Sequence, residues 1–303
     1  MNKWLMVFCA VTCMQVAHAR VIRVPGNSKT ECPYTIAAAL GSAEEYLGGG
    51  SAWSPVPGSY LHSLFLKDLS GYREGLSSLP EVKSKAGTVP EVNRYLAEAG
   101  FSDIVLDPQS DFGVAGIMKL KLDWLQKGNS TEVAYEGKSY PAVKQTAGVY
   151  FFETKESKKP IVCVEAKNGD WVCFADAYDD EGIINFINGP LCEGLKRTKD
   201  YSYVVFPMVN LREKKDMKWI RGMSYGKNRI DQAFQVNALQ LDCVGARVES
   251  GVGMGISKGI DIERGVVFDK PFLCWVQRRK ENREVVIFAA WVCPDMWGDP
   301  NQK

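Results

Sequence analysis

The sequence predicts an α+β protein, and three features carry that prediction. Strand-type alternation of apolar and other residues runs through Val114 to Trp124 (VAGIMKLKLDW) and again from Val248 to Ser257. Two helices are marked by proline near their start and glycine beyond their end. The 303 residues are 46% hydrophobic, enough to bury a large core without dividing into several domains.

The chain opens with one lysine, the apolar run WLMVFCAVTCM, and the small-x-small site Ala17-His18-Ala19. This is the pattern of a cleaved signal peptide over residues 1–19, leaving residues 20–303 as a single secreted, extracellular domain. An anchor needs about 20 apolar residues, and neither this core nor any later stretch reaches that length, so no membrane partner is expected. With 37 basic and 36 acidic residues, the charge balance argues against nucleic acid.

Cys32-Pro33 opens the first helix, which ends before Gly48-Gly49-Gly50. Residues 51–89 are rich in Ser, Pro and Gly and give no assignment. Pro90 to Gly100 is the second helix, and Val114 to Trp124 is a strand. Asn129-Ser130-Thr131 lies in the polar stretch GNSTEVAYEGK, so Asn129 is a glycosylation site in a secreted chain. PIVCVEAKNGDWVCFADAYDDEGIINFINGPL reads as a hairpin turning at Asn168-Gly169, an acidic turn, and a helix.

Beyond the signal segment the cysteines are Cys32, Cys163, Cys173, Cys192, Cys243, Cys274 and Cys293. The number is odd, so in an oxidising compartment one thiol stays free or pairs with another chain. Cys163 and Cys173 flank the hairpin turn. Either they face each other across two strands, or they are buried small apolar side chains like the rest.

Enzyme patterns fail one by one. Gly222-Met223-Ser224-Tyr225-Gly226 matches a serine nucleophile pattern, which requires a preceding strand and a later histidine. Its flank DMKWIRGM is helix-like, and His62 lies upstream. Asp176, Asp179, Asp180 and Glu181 lack calcium-loop spacing and suit a helix N-terminus, so no metal or other cofactor is expected. The basic runs at 196–199, 212–218 and 278–283 read as solvated loops and edges.

From Val248 to Ile256 the apolar or small residues Val248, Ser250, Val252, Met254 and Ile256 share one face. Glu249, Gly251, Gly253 and Gly255 share the other. An exposed loop through Lys258, Asp261 and Arg264 follows, and VVFDKPFLCWV then resumes as a buried strand.

FDKPFLCWV followed by VVIFAAWVCP resembles the C-terminal signature of the serpins. The helix from Cys32, the helix from Pro90, the strand ending at Trp124 and the DMKWIRGM segment resemble serpin elements in the same order, with Gly116 where that family favours Asn. The resemblance implies a large mixed β-sheet with packed helices, a second β-sheet barrel region, and an exposed reactive loop at about 245–268. It implies a monomeric inhibitor of a serine or cysteine endopeptidase. The loop is cleaved and inserts as a strand, a mechanism belonging to that family. Alignment of the hinge places Gly245, Arg247, Val248, Glu249 and Ser250 there and the scissile bond at Asp261-Ile262, or one residue earlier. Gly245 stands where inhibitory hinges carry Glu, Arg247 at the Gly position, and Asn237 where a His is common. The alternative is a non-inhibitory binding, carrier or storage protein.

Overall fold

Pro33 sits in the first turn of α1 (Pro33–Tyr46), where its missing N–H costs nothing, and Gly48 and Gly49 beyond its end take φ of +84° and +72°. The computed structural model describes residues 27–179, 182–246, 264–280 and 283–302. Ahead of α1, β1 (Lys29–Glu31) joins the body of the protein, and β2 (Trp53–Ser54) follows it.

The sequence reading missed α2 (Tyr60–Leu76) entirely. Its apolar Phe65, Leu69, Tyr72 and Leu76 recur at helical spacing, and the Ser59 hydroxyl accepts from the His62 amide as an N-cap. The helix packs on α1, with Tyr34 and Tyr72 edge to face at 5.6 Å.

Next come β3 (Val82–Gly87) and α3 (Val89–Glu98). The Glu91 carboxylate accepts from both the amide and the hydroxyl of Thr88, at 2.9 and 2.8 Å, fixing the start of α3. The stretch expected as one strand to Trp124 is two, β4 (Gly113–Met118) and β5 (Leu122–Asp123). It breaks at residues 119–121 because β5 pairs with a different partner from β4.

The middle of the chain supplies β6 (Asn129–Tyr135), β7 (Lys138–Gln145), β8 (Val149–Glu153), β9 (Ile161–Glu165), β10 (Trp171–Ala175), α4 (Ile183–Asn188), β11 (Lys196–Thr198), β12 (Tyr203–Pro207) and β13 (Val209–Asp216). The remainder is β14 (Ser224–Tyr225), β15 (Asn228–Arg229), β16 (Phe234–Leu241), β17 (Gly245–Ala246), β18 (Gly265–Val267), β19 (Phe272–Lys280) and β20 (Arg283–Val292).

A seven-stranded sheet runs β1-β20-β19-β10-β9-β8-β11, and a four-stranded sheet runs β18-β12-β7-β6. The β12–β18 pair of the four-stranded sheet is parallel, and every pair of the seven-stranded sheet is antiparallel. The large sheet is therefore not itself mixed among the described strands, while sheets and helices together give the expected α+β class. An aromatic core including Trp124, Phe174, Phe206, Phe268 and Phe272 fills one side of the seven-stranded sheet, with Phe174 and Phe206 stacked at 4.6 Å. On its other face Trp171, Trp275 and Trp291 pack with α4. Cys163 and Cys173 lie directly opposite each other there and form a disulfide, which resolves the two readings of that pair.

The sheet expected to hold the central strand is divided. β3–β4 forms one antiparallel ribbon and β13–β16 another, and among the described residues no hydrogen-bonded strand joins β4 to β16.

Candidate functional site: a cleft between two half-sheets

The division leaves a cleft of about 810 Å³ between β4 and β16. Ile36, Ala39 and Leu40 of α1 make its floor, and Ile117, Val236 and Leu239 come from the walls. Gly116 allows β4 to lie directly on α1: a Cβ there would stand 1.9 Å from the Thr35 carbonyl oxygen. The Asn favoured at this position in serpins has no room here.

The front is spanned by α3 and the strap of residues 100–111. Val92, Leu96, Ile104 and Leu106 form a cluster with Ala115 and Ile117 of β4 and Val236 of β16, so the strap touches both sides of the division. Polar ties secure it. Arg212 of β13 donates to Asp103 at 2.7 Å, the Asp107 amide donates to Gln232 at 2.9 Å, and the Ser110 hydroxyl donates to Asp231 at 2.7 Å.

A hydrogen-bonded chain lies behind β16. Asn237, 5% exposed, donates to the Thr30 hydroxyl at 2.7 Å, which donates to Glu213 at 2.6 Å; Gln235 donates to the Cys32 carbonyl at 2.8 Å. Asn237 thus bonds β16 to β1 through the Thr30 hydroxyl, and the chain ends on the Glu213 carboxylate.

At one end of the cleft the chain reverses. One Asp242 carboxylate oxygen accepts from the amides of Val244 at 2.7 Å and Gly245 at 3.1 Å, while the Asp242 amide donates to the Gly245 carbonyl at 3.1 Å. β17 therefore turns back against β5, Gly245 opposite Asp123 and Ala246 opposite Leu122. Only glycine fits at 245, where a Cβ would meet the Leu122 carbonyl oxygen at 2.0 Å. A Glu at this position would meet the same obstacle. Trp124, 1% exposed, donates its indole N–H to the Asp242 carbonyl at 3.0 Å and the backbone amide to Val244 at 3.0 Å.

Of the expected hinge and reactive-site residues, Gly245 is described: it pairs with Asp123 of β5, next to Leu122, which lines the cleft. Arg247, Val248, Glu249, Ser250, Asp261 and Ile262 lie outside the described residues, as does the expected signal segment 1–19. The segment re-enters at Arg264, whose carbonyl accepts from Ser202, and continues as β18 beside β12. Asn129 is exposed on β6, the outer strand of its sheet. Sequence reasoning missed the Asp242 turn. Its trace was the D-x-x-G spacing of Asp242 and Gly245, a turn pattern in which the carboxylate caps amides just ahead of it.

The serine pattern lacks its surroundings. Ser224 starts a short strand after a 3₁₀ turn at Lys218–Ile220, instead of joining a strand to a helix. His62 is buried with its Nδ1 accepting from the Val56 amide, so Nε2 carries the proton and donates to the Trp219 carbonyl. The thiols of Cys32 and Cys192 are pushed up to about 11 by burial first of all, which disfavours the thiolate a nucleophile requires.

No family model and no curated protein matches the sequence. Solved structures do match. Serpin48 of the insect Tenebrio molitor is 11% identical over 88% of this chain and 92% of its own, with a TM-score of 0.56. Human thyroxine-binding globulin in complex with thyroxine is 11% identical over 88% and 92%, at 0.59. A serpin of the trematode Schistosoma haematobium is 14% identical over 88% and 94%, at 0.53. The divided half-sheets on α1, the strap across them and these likenesses over most of both chains agree: the chain has the serpin fold, in a divergent form.

Proposed function

We propose that this protein is a secreted, monomeric inhibitor of a serine or cysteine endopeptidase, with residues 20–303 acting as one unit and Asn129 carrying a glycan. The protease nucleophile attacks the Asp261 carbonyl carbon and the Asp261-Ile262 bond breaks. The Ile262 amine leaves with a proton, and an acyl bond ties the protease to the segment that begins at Arg247. That segment enters between β4 and β16 as a strand antiparallel to both walls of the cleft. Val248, Ser250, Val252, Met254 and Ile256 then share the buried face.

One observation carries the reading: the half-sheets are separated, and the chain already folds back at Gly245–Ala246 against β5, whose Leu122 lines the cleft. An open strand edge presents backbone donors and acceptors to one more strand. Among the described residues no helix is long and apolar enough to cross a membrane.

A panel of serine and cysteine endopeptidases, each incubated with the protein and run on a denaturing gel, tests the proposal. A band at the summed mass that survives SDS supports trapping. Clean cleavage by every protease rejects it and favours the second reading, a non-inhibitory binding or carrier protein, which draws on the thyroxine-binding globulin likeness and on Arg247 in the hinge.

A further inference from the structure

The turn that roots the loop is held from outside as well as from within. Asp242 is 5% exposed, and its two carboxylate oxygens have different partners. One caps the amides of Val244 and Gly245, as described above. The other accepts from the Asn301 side-chain amide at 3.1 Å. Asn301 is itself fixed by Asp299, whose carboxylate accepts from the Asn301 backbone amide at 2.9 Å and from its side chain at 3.1 Å. The Gln302 amide closes this turn onto the Asp299 carbonyl at 3.2 Å.

The 299–302 turn has its own anchor. Gly298 donates to the Met208 carbonyl at 3.0 Å, and Trp297 bridges to Val209, the first residue of β13. Val209 is paired with Leu241, one residue before Asp242. A line of contacts thus runs from the β12–β13 junction through Asn301 to the carboxylate that turns the chain back toward β5.

We propose that Asp242 is the positioning residue for loop entry and that Asn301 is its clasp. Asn301 orients the carboxylate so that its inner oxygen keeps Val244 and Gly245 turned back, and the first residues of the segment enter the cleft already paired. This rests on the insertion reading for its consequence but not for its geometry, which the intact protein already displays.

The test separates the two. Asn301 is exposed, so Asn301→Ala should fold with an unchanged global melting temperature. Amide exchange of Val244 and Gly245 in the intact protein should rise about five-fold, the loss of roughly one ordinary hydrogen bond. Asn301→Asp sets a third carboxylate against Asp242 and Asp299 and should raise it further. After the loop is nicked, the gain in melting temperature should be reached more slowly in both variants than in the wild type. Unchanged exchange at 244–245 in both variants overturns the clasp. Faster exchange in the variants, with no gain on nicking in the wild type, upholds the clasp on the turn and rejects the insertion reading instead.

Discussion

Replacing Arg278 with Met removes the most densely bonded cation described in this fold. The guanidinium is bidentate to Asp170 (2.9 and 2.7 Å) and to Glu81 (3.0 and 2.9 Å), and it also donates to the Ser78 carbonyl at 2.7 Å. All five N–H donors are used. Asp170 is only 3% exposed at its side chain, so Arg278→Met strands a buried carboxylate, and the expected loss is about 3–5 kcal/mol.

Arg278→Lys should recover little of this, because an ammonium has no planar fork. The double variant Arg278→Met, Asp170→Asn should recover much of it by removing the stranded charge. Equilibrium unfolding in urea, compared at unchanged m, reads the differences. A loss below about 1 kcal/mol for Arg278→Met would place the cluster with ordinary surface pairs and refute the reasoning. The hydrogen bond from Arg278, first of all, holds the Glu81 carboxyl below the usual range. A depressed acid contributes stability above its unfolded pKa and loses it as pH falls through the folded value. Glu81→Gln should therefore flatten the acid limb of the stability curve below the ordinary glutamate range.

Three further outcomes are expected. Gly116→Ala forces β4 off α1, since the added methyl meets the Thr35 carbonyl at 1.9 Å, and should cost about 1–3 kcal/mol in thermal or urea unfolding. Protein expressed in a eukaryotic host should lose mass on glycosidase treatment, and Asn129→Gln should abolish that loss. Val252→Asp should remove any thermal gain on loop cleavage, because the charge must be desolvated on the inserted face, whereas Gly253→Asp should reduce the gain less.

Local signals made some elements legible in the sequence and left others hidden. α1 and α3 announce themselves through Pro33, Pro90 and the glycines beyond, and the β9–β10 hairpin through Asn168-Gly169. α2 was obscured by Ser, Pro and Gly around it, although its apolar spacing is helical. The break after Met118 was invisible because Leu120 and Leu122 continue the alternation; only the pairing of β5 with β17 reveals it. Arg278 read as part of a solvated basic run, yet it is half-buried. Its partners Asp170 and Glu81 lie 108 and 197 positions away, beyond any local pattern. The Asp242–Asn301 contact, 59 positions apart, was hidden for the same reason. The serpin resemblance supplied the order of elements, while the separation of β4 from β16 required coordinates.

The central claim is that the segment after Ala246 becomes a strand between β4 and β16, and it is tested most directly by melting the wild-type protein before and after a single cut near Asp261-Ile262. On the proposed function the intact fold is held kinetically above its inserted state, so the nicked protein should melt at a clearly higher temperature than the intact one. An unchanged or lowered melting temperature, with the cut confirmed by mass, would contradict insertion and leave the cleft without its proposed occupant.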